Sequence, residues 1–216
     1  MTSLLGSLLV FSALTATGFS LTCYNCINVT GTTCNQPTVT CPAGDVCIAS
    51  YSLVTVTGSA PTTQYSITCG STAQCNVTGS WTVNFGTVRT GVTCCSTDNC
   101  TPTLPTLPTQ GSQPNNVTCR TCSSYTDYCY TGDTIGCTGS ETKCGILSKV
   151  LTGTISQATT IRGCTTPSFC DTLGTGVYYY SGLNIAMTTY CSNGAVGLYA
   201  GFFGSAFTFL LTILLF

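Results

Sequence analysis

The chain has 216 residues, 18 of them cysteine, with 5% charged residues and a formal net charge of −1. That balance excludes the basic surface that nucleic acid or an anionic bilayer requires. There is no histidine, which excludes Ser-His-Asp and Cys-His catalysis and every histidine-containing zinc site.

Residues 1–20 read as a signal peptide. Residues 4–14 form an apolar core, and Gly18 and Ser20 are the small residues at −3 and −1 before cleavage ahead of Leu21. The apolar run is shorter than the ~20 residues of a spanning helix. Secretion places the cysteines in an oxidising compartment, where they pair. Their even number allows complete pairing.

Cysteines fall at 23, 26, 34, 41, 47, 69, 75, 94, 95 and 100, then at 119, 122, 129, 137, 144, 164, 170 and 191. The residues between them number 2, 7, 6, 5, 21, 5 and 18 up to Cys94, and 2, 6, 7, 6, 19, 5 and 20 up to Cys191. The match identifies an internal duplication. Between the copies, Pro102, Pro105, Pro108 and Pro114 forbid continuous helix or central strand. Residues 102–116 are therefore expected to be a semi-rigid Pro/Thr-rich linker between domains at 21–101 and 117–192. Domains this small bury little core, so bridges of ~2–4 kcal/mol each supply much of the stability.

Within the copies, residues 46–57, 64–69, 81–94, 145–155 and 177–180 are rich in β-branched and aromatic side chains, with Gly and Ser clusters between. No part of the mature chain keeps a helical period. The expected class is all-β and disulfide-rich. Cys94 and Cys95 are adjacent, and neighbours can hardly bridge each other without strain. Cys95 can close a short loop to Cys100, which leaves Cys94 an upstream partner. The remaining pairing is open, since eight cysteines alone allow 105 arrangements.

The text LTCYNC at 21–26, CCSTDNC at 94–100 and the spacing of Cys34, Cys41, Cys47, Cys69 and Cys75 resemble the lymphocyte antigen 6/urokinase receptor family. The resemblance implies two tandem three-finger domains of the snake-toxin type. It also implies the bridges Cys23–Cys47, Cys26–Cys34, Cys41–Cys69, Cys75–Cys94 and Cys95–Cys100, then Cys119–Cys144, Cys122–Cys129, Cys137–Cys164 and Cys170–Cys191. Finger tips in the first copy would lie near 28–33, 58–63 and 79–86. Two departures stand out. Thr101 follows the last cysteine of the first copy, where the family has Asn. The second copy has Ser192 after Cys191 and lacks the last two cysteines, so a looser base is expected there. The two-domain arrangement also resembles the gamma-class phospholipase inhibitors and their anchored relatives.

The CxxC pairs Cys23/Cys26 and Cys119/Cys122 read as structural disulfides rather than zinc or redox motifs, and no metal or other cofactor is expected. Asn28, Asn76 and Asn116 begin N-glycosylation sequons, and Asn99 fits the formal rule inside the short Cys95–Cys100 loop. The six acids, at Asp45, Asp98, Asp127, Asp133, Glu141 and Asp171, form no catalytic pair and read as solvated charges. Trp81, Phe85, Tyr178, Tyr179, Tyr180 and Leu183, in the third fingers, are the candidate contact residues, because exposed aromatics anchor interfaces. The competing reading is that alternate members of these runs fill a strand face.

Residues 195–216 carry no charge and would span about 33 Å as a helix. No Lys or Arg marks a cytoplasmic flank, and residues 192–195 supply small side chains. Residues 193–216 therefore read as the attachment region and signal of a glycosylphosphatidylinositol anchor, with Asn193 or Ser192 as the attachment residue. The expected protein is a non-enzymatic glycoprotein on the extracellular face of the plasma membrane. It would bind an extracellular protein partner and be held to the membrane by its lipid. Inhibition of a secreted phospholipase, and an adhesion or coat role, are the alternatives.

Overall fold

Each copy folds around one long β-branched strand that pairs on both sides. The computed structural model describes residues 20–193 apart from 30, 36, 155, 174, 175, 181 and 182. The expected signal peptide, save Ser20, and the expected anchor signal beyond Asn193 lie outside the described residues.

In the first copy the strands are β1 (Thr22–Tyr24), β2 (Cys26–Asn28), β3 (Thr38–Thr40), β4 (Val46–Val56), β5 (Thr62–Gly70), β6 (Thr78–Val83) and β7 (Gly86–Cys95). In the second they are β8 (Pro114–Arg120), β9 (Cys122–Ser124), β10 (Thr134–Thr138), β11 (Lys143–Gly153), β12 (Gln157–Thr165), β13 (Gly176–Tyr180) and β14 (Leu183–Ser192). β1 and β3 form a small sheet, as do β8 and β10. β4 lies between β5 and β7, with β2 beyond β5 and β6 beyond β7. β11 lies between β12 and β14, with β9 beyond β12 and β13 beyond β14. The same three-finger order therefore appears twice. The run at 81–94 is two strands rather than one. Val83 and Gly86 face each other across a turn at Asn84 and Phe85.

The bridges are Cys23–Cys47, Cys26–Cys34, Cys41–Cys69, Cys75–Cys94 and Cys95–Cys100 in the first copy. In the second they are Cys119–Cys144, Cys122–Cys129, Cys137–Cys164 and Cys170–Cys191. The ends of the first copy are pinned from inside the last loop. The Asp98 carboxylate accepts from the Thr22 amide at 2.7 Å, and the Asn99 amide donates to the Thr22 carbonyl at 2.7 Å. The second copy closes by extending β14 along β11, so that Cys191 faces Gly145 and Ser192 faces Cys144.

The two copies are not held apart. β12 pairs with β6, Cys164 facing Thr82 and Thr165 facing Trp81, which makes one ten-stranded sheet. The Thr166 amide donates to the Ser80 carbonyl at 3.1 Å, and the Thr165 hydroxyl donates to it at 3.0 Å. One core cluster, of Ile48, Trp81, Val83, Val92 and Phe169, crosses the junction, with Leu147 and Ile161 packed on it. The Pro-rich segment lies along β7, with Pro102 and Pro105 buried. Its Thr103 and Pro108 carbonyls accept from the Thr93 hydroxyl and the Arg89 guanidinium. β8 starts at Pro114, inside the stretch expected to be linker, because Asn115 anchors it to the Gly139 and Glu141 carbonyls at 3.0 Å each.

The junction depends on close backbone approach at Gly163. A Cβ there would lie 2.0 Å from the Thr82 carbonyl oxygen, whereas a Cβ on Gly136 would meet nothing within 4 Å. Gly163→Ala should therefore destabilise the protein by ~1–3 kcal/mol. Gly136→Ala should stay within about 0.5 kcal/mol of the parent. Chemical denaturation of the two variants side by side checks both values.

Candidate recognition surface

Of the aromatic candidates in the third fingers, Trp81 is not a surface residue. It is 1% exposed, because β6 is an interior strand of the joined sheet. Its ring meets Phe169 edge-on at 5.3 Å and fills the space above Gly145, where a Cβ would lie 2.3 Å from it. Phe85, at the hairpin turn, is 38% exposed. Tyr178, Tyr179 and Tyr180 lie on β13, and Leu183 opens β14, paired with Tyr180. Their side chains lie outside the described residues.

The surface aromatics gather elsewhere, in the first finger of the second copy. Tyr125, Tyr128 and Tyr130 are 84%, 59% and 67% exposed. The Cys122–Cys129 bridge closes this loop, and β9 ties it to β12. The Thr126 hydroxyl donates to the Tyr128 carbonyl at 2.7 Å, and the buried Thr160 hydroxyl donates to the Thr126 carbonyl at 2.9 Å. Tyr128 and Tyr130 stack with centroids 6.5 Å apart. The Arg162 guanidinium lies 5.9 Å from the Tyr128 ring centre, within cation–π range. Arg120 braces the far side by donating to the Thr131 carbonyl at 2.6 Å. The loop thus displays three rings on a held backbone, with Asp127 and Asp133 exposed beside them. The signal was three tyrosines within six residues, two inside the Cys122–Cys129 loop and one just after it. A search confined to the third fingers passes over it.

Glu141 corrects the reading of the acids as solvated. It is 4% exposed and reaches from the turn before β11 to the first copy. Its Oε1 accepts from the Ser80 hydroxyl at 2.7 Å and the Thr82 hydroxyl at 2.9 Å. Its Oε2 is buried with no hydrogen-bond partner among the described residues. Burial pushes the carboxyl above the usual range, and the two hydroxyls pull it part of the way back.

The expected modification sites fall on the surface of both copies. Asn76 and Asn116 are exposed with φ of 59° and 63°, a left-handed conformation that Asn tolerates better than most residues. Asn99 shares it, with φ of 54°. The Asn28 side-chain amide donates to the Thr33 carbonyl at 2.8 Å and accepts from the Gly31 amide at 2.9 Å. Asn193 follows β14 and accepts from the Lys143 ammonium. The sulfurs of Cys23, Cys41 and Cys69, of Cys47, Cys95 and Cys100, and of Cys119, Cys137 and Cys164 come close enough together to suggest metal ligands. Each already belongs to a bridge, and no cysteine among the described residues is free, so these clusters are stacked cystines.

No protein-family model matches the chain, and no curated protein matches it. Among solved structures it is similar to mouse TEX101, at 14% identity over 80% of this chain and 99% of that one, with a TM-score of 0.33. A superposition that loose carries no functional argument.

The junction carboxylate has a testable pH signature. The folded state holds the Glu141 proton more tightly than the unfolded chain, whose value is near 4.5. Its contribution is therefore most favourable with the carboxyl protonated. It falls as pH rises from the unfolded value through the raised folded one. Glu141→Gln keeps an acceptor for both hydroxyls without the charge, so near neutral pH it should be at least as stable as the parent and should lose that pH dependence. Glu141→Ala strands the hydroxyls of Ser80 and Thr82 and should cost ~1–3 kcal/mol. Urea unfolding between about pH 4 and pH 8 separates the three proteins.

Proposed function

We propose that this chain is a non-enzymatic protein-binding glycoprotein of the lymphocyte antigen 6/urokinase receptor type. A glycosylphosphatidylinositol anchor at Asn193 or Ser192 holds it on the extracellular face of the plasma membrane. The observation that carries this reading is the braced tyrosine loop of Tyr125, Tyr128 and Tyr130. Tyrosine offers a large amphipathic contact area at low entropy cost, which is why it is enriched at recognition surfaces. A cystine loop tied to β12 and β8 loses little further freedom on binding, which favours affinity. The exposed sequons at Asn76 and Asn116 are the proposed glycan sites, with Asn28 a third. The partner is an extracellular protein that presents apolar and hydrogen-bonding surface to the rings.

Intact-cell affinity capture tests the surface. Replacing Tyr125, Tyr128 and Tyr130 with Ala should leave surface display unchanged and lower partner recovery by about tenfold or more, as loss of hot-spot aromatics does. Trp81→Ala should instead lower display itself, since truncating a buried Trp costs ~3–5 kcal/mol. Full recovery by the tyrosine variant would remove the proposal.

Phosphatidylinositol-specific phospholipase tests the anchor. The enzyme should release the protein from intact cells, and the mature polypeptide should end at Asn193 or Ser192. Retention on the cell together with recovery of Phe216 in the mature chain would show a spanning tail instead.

A further inference from the structure

The face of the joined sheet opposite the Pro-rich segment holds a groove of about 370 Å³ between the two copies. That is within the ~300–1,000 Å³ of small-molecule sites. Strand alternation builds it. On β7, Val88 and Val92 face the groove, while a Cβ on Gly91 would meet Thr106 of the Pro-rich segment on the other face. The opposite wall is Leu147, Ile161, Ile185 and Met187, all from the second copy, and Trp81 and Phe169 lie at its base. These four wall residues are only partly buried, so apolar surface is left open along a concave face.

The charge pattern selects the occupant. Lys149 lines the groove, two residues along β11 from Leu147 on the same face, and among the described residues no acidic one lines it. The chain has five cations. Arg89 and Arg120 bond carbonyls, Lys143 bonds Asn193, and Arg162 lies over Tyr128. Lys149 is the one cation with no such partner among the described residues. It is exposed, at the end of an apolar wall. On the wall from the first copy, Ser52 and Thr90 bond each other at 2.8 Å and add no charge.

We infer that the groove binds a long-chain fatty acid, its hydrocarbon tail between the two copies and its carboxylate on the Lys149 ammonium. A single hydrocarbon chain suits a trough with one apolar wall, the facing wall from the first copy being mixed, with Ser50, Gln64 and Ser66 beside Val54, Val88 and Val92, and one carboxylate matches one ammonium. This inference stands apart from the protein-binding reading, which rests on the tyrosine loop on another part of the molecule.

The test uses a palmitic acid analogue carrying a diazirine and an alkyne, applied to intact cells that display the full chain. After irradiation, adducts should map to β11 and β14. Excess palmitate should suppress them, and hexadecanol, of equal length but uncharged, should not. Lys149→Gln should lower labelling by roughly tenfold at unchanged display, the scale of a lost charge-assisted hydrogen bond, and Lys149→Arg should retain it. Adducts confined to other segments would overturn the inference. So would equal suppression by hexadecanol, undiminished labelling of Lys149→Gln, or preferential suppression by lysophosphatidylcholine. Should Lys149→Gln fail to reach the surface, the hexadecanol comparison and the Lys149→Arg variant decide between these outcomes.

Discussion

The pairing of β6 with β12 over the buried Trp81 is the contact on which the remaining architecture depends. Each copy has its own cystine knot, built around Cys23, Cys41 and Cys47 in one and Cys119, Cys137, Cys144 and Cys164 in the other. Such knots limit the unfolded chain but bury little large apolar surface. The cluster that contains Trp81 and Phe169 draws on both copies. The first copy has a small cluster of its own in Cys26, Ala49, Tyr65 and Ile67, and the shared cluster adds to the little core that a unit this small can bury. The T-shaped ring pair adds ~0.5–1.5 kcal/mol to what burial supplies.

β12 relates this junction to the surfaces beyond it. Successive residues on the strand face opposite ways, and the strand uses both faces. Ile161 lines the groove, while Arg162 lies over Tyr128. Gly163 lets the Thr82 carbonyl come close, and Cys164 and Thr165 pair with β6. β12's outer edge is divided, with β9 along Thr160 to Arg162 and β6 along Cys164 and Thr165. The tyrosine loop and the inter-copy junction are therefore neighbours on one strand. A loop tied to a strand that is paired on both sides at the point of attachment is positioned more precisely than one on a free edge, which is what a recognition surface requires.

Much of this was legible in the residues, and what was not has physical causes. Repeated cysteine spacing shows the duplication, and β-branched runs mark β4, β5 and β11, because both are local patterns. Trp81 is different. Alternation along a strand says which residues share a face, but not whether a second copy covers it, so the residues leave Trp81 open between contact anchor and strand-face core, and its burial decides for the core. Glu141 fails for the same reason, since its partners Ser80 and Thr82 lie some sixty residues upstream in the other copy. The prolines at 102, 105 and 108 mark the stretch without regular structure from Thr101 to Gln113, whereas Pro114 opens β8. They do not show that the segment packs onto β7, which depends on Gly91 leaving room for the Thr106 carbonyl.

The central claim is that the two copies form one cooperative unit through the β6–β12 junction. Native-state hydrogen exchange reads it most directly, because the Thr166 amide has its partner, the Ser80 carbonyl, in the other copy. The account predicts that this amide is protected to the same degree as the amides of Ile48 to Ser50 in β4 and Ile146 to Ser148 in β11, so that it opens only in global unfolding. If Thr166 exchanges as fast as the exposed turn between β4 and β5 while β4 and β11 stay protected, the copies are independent domains in loose contact, and the account is wrong.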